Sequence, residues 1–150
     1  MPVSPGLKRL LRIRELEEEL SQSALETAVS EREHFRRTLG LAIDRKRDGR
    51  SLWSQSVGAG ELENRQVGLE EMGLAGRAAA FASMQLAEAE RQLSERRESY
   101  LATRTRRRQA QALIEENESQ DARTALRRDQ QELDEWFRSG AHSAADRQEE

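Results

Sequence analysis

The sequence predicts an all-α protein: a long antiparallel two-helix coiled coil, or α-hairpin, with arms of unequal length. Three observations predict this fold. A seven-residue repeat of seam positions runs from Met72 to Asn117, a glycine-rich break lies near residue 58, and the composition is only 35% hydrophobic and 4% aromatic. Such a chain can bury a narrow stripe between two helices, but it cannot build a thick globular core.

A first helix is predicted from about residue 6 to 55. Ser4-Pro5-Gly6 is a start signal, because proline is favoured in the first turn of a helix. Apolar residues then recur at spacings of three and four from Leu7 to Ile43. Gly40 costs about 1 kcal/mol relative to alanine, which is too little to end so long a pattern.

A bend is predicted at about residues 56–61. The apolar pattern lapses after Asp48-Gly49, and serines and glycines then accumulate up to Gly58-Ala59-Gly60. A fold-back near residue 58 would place Leu39 near Ala79 and Leu20 near residues 96–97. The two helices are therefore expected to close on each other within one chain.

A second helix is predicted from about residue 62 to 138, and it carries the seven-residue repeat. Small side chains at one seam position would let two backbones approach to the short end of the usual interaxial range of about 8–10 Å. The sequence therefore favours a close antiparallel pair. The two sets of seam positions are Met72, Ala79, Leu86, Leu93, Tyr100, Arg107 and Ile114, and Ala75, Ala82, Ala89, Arg96, Thr103, Ala110 and Asn117.

The second arm is expected to extend beyond the first. At about 1.5 Å per residue the arms would be roughly 75 and 115 Å long, which leaves an overhang of roughly 40 Å. Within it the spacing shifts toward four-four-three, which favours a straight helix. Ser139-Gly140 is predicted to end the helix, and residues 139–150 are expected to be disordered, so that residues 1–150 form one hairpin domain. The apolar residues that would face solvent on the overhang are Leu126, Leu133, Trp136 and Phe137.

The residue types favour a non-enzymatic protein. The sequence has no cysteine, no glycine-rich phosphate loop and no metal-ligand spacing, and its only histidines are His34 and His142. We therefore predict no catalytic residue, no cofactor and no metal. With a net charge of -3 and no long apolar run, the chain is expected to be soluble and intracellular, without direct membrane insertion.

A run of arginines lies in the second helix. These side chains would spread around the helix, and Tyr100 is the only aromatic residue among them, so the pattern argues against a nucleic-acid groove. Acidic protein loops are the favoured partner. The run consists of Arg96, Arg97, Arg104, Arg106, Arg107 and Arg108.

Residues Arg104 to Phe137 resemble the C-terminal part of the FliJ family, the stalk-like component of the bacterial flagellar type III export apparatus, and its counterparts in virulence secretion systems. The resemblance lies in a long Gln- and Arg-rich helix, the acidic patch Glu116-Asn117-Glu118, and the ending Gln130-Gln131-Glu132-Leu133-Asp134-Glu135-Trp136-Phe137. Glu63-Asn64-Arg65 at the exit of the bend also agrees. So do the chain length, the uneven hairpin and the lack of cysteine.

The resemblance implies a helper of an ATPase that is not itself an enzyme. Its partners would be the hexameric export ATPase, the membrane protein of the export gate and the substrate chaperones, at the cytoplasmic face of the inner membrane. The export-gate contact would lie near Met72 and Ala79, although Gly76 and Ser83 stand where larger side chains are expected. The residues facing the ATPase ring would be Leu7, Leu10, Leu11, Leu126, Leu133, Trp136 and Phe137.

Two alternatives remain open at this point. The chain could serve a virulence secretion system, or it could be a structural coiled coil that holds another assembly together. Separately, Trp136 and Phe137 could fold back on Leu133 as a hydrophobic cap instead of contacting a partner.

Overall fold

The computed structural model describes residues 3–146, and it describes side chains for residues 3–140. It contains two helices, α1 at Pro5–Ala59 and α2 at Leu62–Asp146. No strand occurs within residues 3–146. The helices pack as an antiparallel coiled-coil hairpin with arms of 55 and 85 residues, which confirms the predicted fold class.

Both helices contribute to two compact units. The first, which we call the hairpin unit, is Glu17–Thr103 and includes the turn between the helices. The second, the terminal unit, comprises Met1–Leu16 and Arg104–Glu150. Each unit is described separately below.

Ser4 starts α1 in the terminal unit. Its hydroxyl oxygen accepts a hydrogen bond from the backbone N–H of Gly6 at 3.2 Å, and its carbonyl accepts one from Leu7 at 3.0 Å. Pro5 occupies the first helical position, where its missing N–H costs nothing. This is the start that the Ser4-Pro5-Gly6 sequence predicts.

Gly60 ends α1 in the hairpin unit. It has a φ of 74°, and the N–H of Glu61 donates to the carbonyl of Ser56 at 3.1 Å. This six-residue ring with a left-handed glycine is a Schellman motif. The first helix thus continues to Ala59, beyond the predicted end near residue 55.

Small side chains fill the seam of the hairpin unit. Leu93 is the only large apolar side chain among its buried residues, and the hydroxyls of Ser56 and Thr103 donate to carbonyls one turn earlier at 2.7 and 2.9 Å. Of the seam positions predicted between Met72 and Asn117, only Arg96 is exposed. The small buried seam residues are Ala28, Ala42, Gly49 and Ser56 on α1, and Gly68, Ala75, Ala82, Ala89 and Thr103 on α2.

The two backbones approach each other closely where Gly49 meets Gly68. A Cβ atom built on Gly68 would lie 2.8 Å from the backbone nitrogen of Trp53 and 2.9 Å from the carbonyl oxygen of Gly49. Gly49 falls seven residues after Ala42 and seven before Ser56, so it continues the seam. The apolar pattern lapses at Asp48-Gly49, but the seam does not, because a glycine in a seam permits close contact between helices.

Gly68→Ala is expected to lower the free energy of unfolding by about 1–3 kcal/mol, because the new methyl group would push two backbones apart. Gly73→Ala is the matched control, since that glycine is exposed on the same helix and no atom of α1 lies within 4 Å of the added Cβ. Its expected effect is a gain of about 0.5–1 kcal/mol from helix propensity. Thermal unfolding followed by circular dichroism measures both, and similar changes at the two sites would contradict the close approach.

In the terminal unit, packing ends well before α2 does. Ala110 is buried and Ile114 and Asn117 are half-buried, whereas every residue from 122 to 140 is exposed. This agrees with the predicted overhang.

The end of α2 differs from the prediction. The helix continues through Ser139-Gly140 to Asp146, whereas the sequence predicts an end near residue 138. Gly140 keeps a negative φ, since Gly60 is the only glycine with a positive φ in the described chain. A glycine stops a helix when it adopts the left-handed conformation, and otherwise it only weakens the helix. Residues 147–150 of the predicted disordered tail lie outside the described residues.

Neither helix, within the described residues, has an apolar stretch of the length needed to cross a bilayer.

Candidate functional site

The overhang of α2 carries an apolar surface that no part of the terminal unit covers. We call this the terminal surface and define it as Leu126, Leu133, Trp136 and Phe137, all of which are exposed. Leu126 and Leu133 are seven residues apart, and Phe137 follows Leu133 by four, so these side chains lie along one side of the helix. The sequence predicted these four residues to face solvent, and they do.

Trp136 and Phe137 form the largest part of the terminal surface. Their ring centroids lie 5.1 Å apart with an interplanar angle of 75°, an edge-to-face contact. They nevertheless remain 68% and 64% exposed. Trp136 and Phe137 therefore do not form a buried cap on Leu133 in the structure. Burial of each ring by a partner would be worth about 1.5–3 kcal/mol.

The three leucines that the resemblance assigned to the same site lie elsewhere. Leu7, Leu10 and Leu11 are half-buried on the first turns of α1. Up to residue 140, the last half-buried residue of α2 is Asp121, which precedes Trp136 by about 15 residues, or about 22 Å of helix. The structure thus does not join these leucines and the terminal surface into one patch. Their apolar area serves the packing of the helices.

Met72 and Ala79, the predicted export-gate residues, are seam positions of the hairpin unit. Both are half-buried. The backbone nitrogen of Met72 lies 3.1 Å from the point where a Cβ on Gly49 would be. Since α1 already occupies this side of α2, little of either side chain is left for another protein.

A groove in the hairpin unit presents more apolar surface than those two residues do. Phe35 lines it from α1, and the largely exposed Phe81 and Met84 line it from α2. Sequence reasoning missed this groove because it followed the seam positions, and Phe81 and Met84 lie beside the seam. Large apolar residues outside the seam are the signal that could have revealed it.

Acidic and amide side chains border the same groove. Glu31, Gln85, Glu88 and Gln92 contribute to its lining. Arg91 donates hydrogen bonds to both carboxylate oxygens of Glu88, at 3.0 and 2.6 Å. These bonds, with a further one from Gln92, hold the pKa of Glu88 below its usual value.

The arginine run does not form a single basic stripe. Arg96 is exposed and borders a shallow cavity with Leu20, Ser21 and Ala24 in the hairpin unit. Arg107 of the terminal unit is half-buried and donates to the side-chain oxygen of Gln111 at 2.8 Å. Arg107 of this run therefore contributes to packing within the protein.

The described residues contain no group of three or more His, Asp or Glu side chains placed to hold a metal ion. His34 lies edge-on to Phe35, with ring centroids 5.4 Å apart.

A comparison with protein families matches residues 4–145 to the family described as Flagellar FliJ protein. The chain belongs to the FliJ family. This confirms the resemblance stated from the sequence and indicates a role in flagellar type III export. The comparisons with curated proteins and with solved structures give no significant match.

The FliJ match includes the overhang as well as the paired helices. It begins at the helix cap of Ser4 and ends one residue before the end of α2. The terminal surface is therefore part of the region that defines this chain as a FliJ family member.

Proposed function

We propose that the chain is a non-enzymatic stalk component of the bacterial flagellar type III export apparatus. In this proposal the overhang of α2 enters the hexameric export ATPase and promotes its assembly and activity. The observation that carries the proposal is the terminal surface, an exposed Trp-Phe pair on a helix without an intramolecular partner. A contiguous apolar patch of this kind is a common mark of a protein interaction site.

Family membership supports export over a generic structural coiled coil. It also supports flagellar use over virulence secretion, since the matched family is described as flagellar. The chain would act in the cytoplasm, at the cytoplasmic face of the inner membrane.

The export gate and the substrate chaperones would use a different part of the protein. We place the gate contact on the exposed Phe81 and Met84 of the hairpin-unit groove, near the predicted site at Met72 and Ala79. Met72 and Ala79 are half-buried in the seam, whereas Phe81 and Met84 are exposed. This leaves the terminal surface free for the ATPase while the hairpin unit binds membrane or cargo partners.

Site-directed crosslinking tests the contact with the ATPase. The chain contains no cysteine, so Leu133→Cys gives a single attachment point for a photoreactive maleimide on the terminal surface. Leu113→Cys is the matched control, because the two leucines are 57% and 54% exposed but Leu113 lies on the paired part of α2. We expect crosslinks to the assembled ATPase from position 133 and at least about tenfold fewer from position 113.

Equal crosslinking from both positions would contradict insertion of the overhang. A lack of crosslinks from position 133 would contradict the proposed contact between the terminal surface and the ATPase.

A further inference from the structure

Between residues 123 and 135 the charges of the overhang fall into two consecutive blocks. Residues 123–128 contain three arginines and no acid, and residues 129–135 contain four acids and no base. All of these residues are exposed, and none of the seven charged side chains forms an ion pair within residues 3–140. The charged residues are Arg123, Arg127, Arg128, Asp129, Glu132, Asp134 and Glu135.

We propose that two copies of this chain pair through their overhangs, antiparallel to each other, when no other partner covers the terminal surface. If the two overhangs lie antiparallel, with the two-fold axis near residue 130, the basic block of each copy lies beside the acidic block of the other. If the two overhangs lie parallel, each block lies beside the block of the same charge in the other copy. The order of the charges therefore favours a second copy of the chain as the partner, in the antiparallel orientation.

The apolar residues agree with the same overlay. An axis near residue 130 brings Leu126 of one copy beside Leu133 of the second copy, and Arg123 beside Trp136. An arginine over an indole face adds a cation–π attraction. The pairing would therefore bury the terminal surface of both copies at once, and it uses only surface that the terminal unit leaves uncovered.

This inference goes beyond the proposed function and does not depend on an ATPase. Pairing would cover Trp136 and Phe137 in each copy. A self-associated chain would then be unable to offer the terminal surface to any other protein.

A charge-swap experiment on the full chain tests the proposal. One variant, Arg123→Glu with Arg127→Glu, makes both blocks net acidic, and another, Asp129→Arg with Glu132→Arg and Asp134→Arg, makes both net basic. We expect the mass of the wild-type chain, measured by light scattering, to rise with concentration from 17.1 kDa toward twice that value. Each variant alone should associate at least about tenfold more weakly, because like charges would face each other.

An equimolar mixture of the two variants is the decisive measurement, because the acidic overhang then meets the basic one and the dimer should return. Circular dichroism shows whether each variant is still helical, and a mixture that dimerises requires both to be folded. Wild-type chain that stays monomeric at every concentration would overturn the proposal. So would variants that dimerise alone as well as wild type does, or a mixture that stays monomeric.

Discussion

Ala82→Leu is expected to lower the free energy of unfolding by about 1–3 kcal/mol. Ala82 is 1% exposed, and the seam residues one heptad before and after it are the buried Ala75 and Ala89. Three added carbon atoms have no space between backbones that approach this closely, so the helices must separate or the side chain must adopt a strained rotamer. Urea unfolding followed by circular dichroism measures the loss directly.

Ala122→Leu is the matched control for that prediction. It makes the same change on the same helix, but Ala122 is exposed on the overhang. Alanine and leucine have similar helix propensities, so the free energy of unfolding should change by no more than about 0.5 kcal/mol. Equal losses at both positions would show that the overhang is packed against another part of the protein.

The sequence could predict the hairpin because a seven-residue repeat over so many turns indicates a helix pair, and the glycine-rich break near residue 58 lets one chain supply both helices. The alanines at every seventh position also predicted how closely the helices approach. What the pattern could not give was the role of individual glycines. Gly49 continues the seam and Gly60 ends the helix, and the difference lies in the neighbouring helix and in the φ angle, which sequence spacing does not encode.

The candidate site was harder to predict for a related reason. An apolar residue on a helix can serve the seam or a partner, and a family resemblance does not separate the two uses. Leu7, Leu10 and Leu11 are half-buried in packing, and so are Met72 and Ala79. Trp136 and Phe137 lie beyond the last packed residue, and only the relative lengths of the arms made that predictable.

Trp136→Ala combined with Phe137→Ala is expected to abolish stimulation of the export ATPase while leaving the protein folded. Both rings are mostly exposed, and their main contact in the structure is with each other. Their removal should therefore change helix content and melting temperature very little. If a partner buries both rings, their loss removes about 3–6 kcal/mol of binding free energy, which is a factor of at least about 100 in affinity.

The control is Phe81→Ala, since Phe81 is a similarly exposed aromatic residue on the hairpin unit. Because the proposal assigns the hairpin unit to the export gate and the terminal surface to the ATPase, Phe81→Ala should stimulate ATP hydrolysis as well as the wild-type chain does. A double variant that unfolds would show that the Trp-Phe pair is structural. A folded double variant that stimulates fully would show that the ATPase contacts some other surface, and the groove at Phe81 and Met84 would then be the next surface to test.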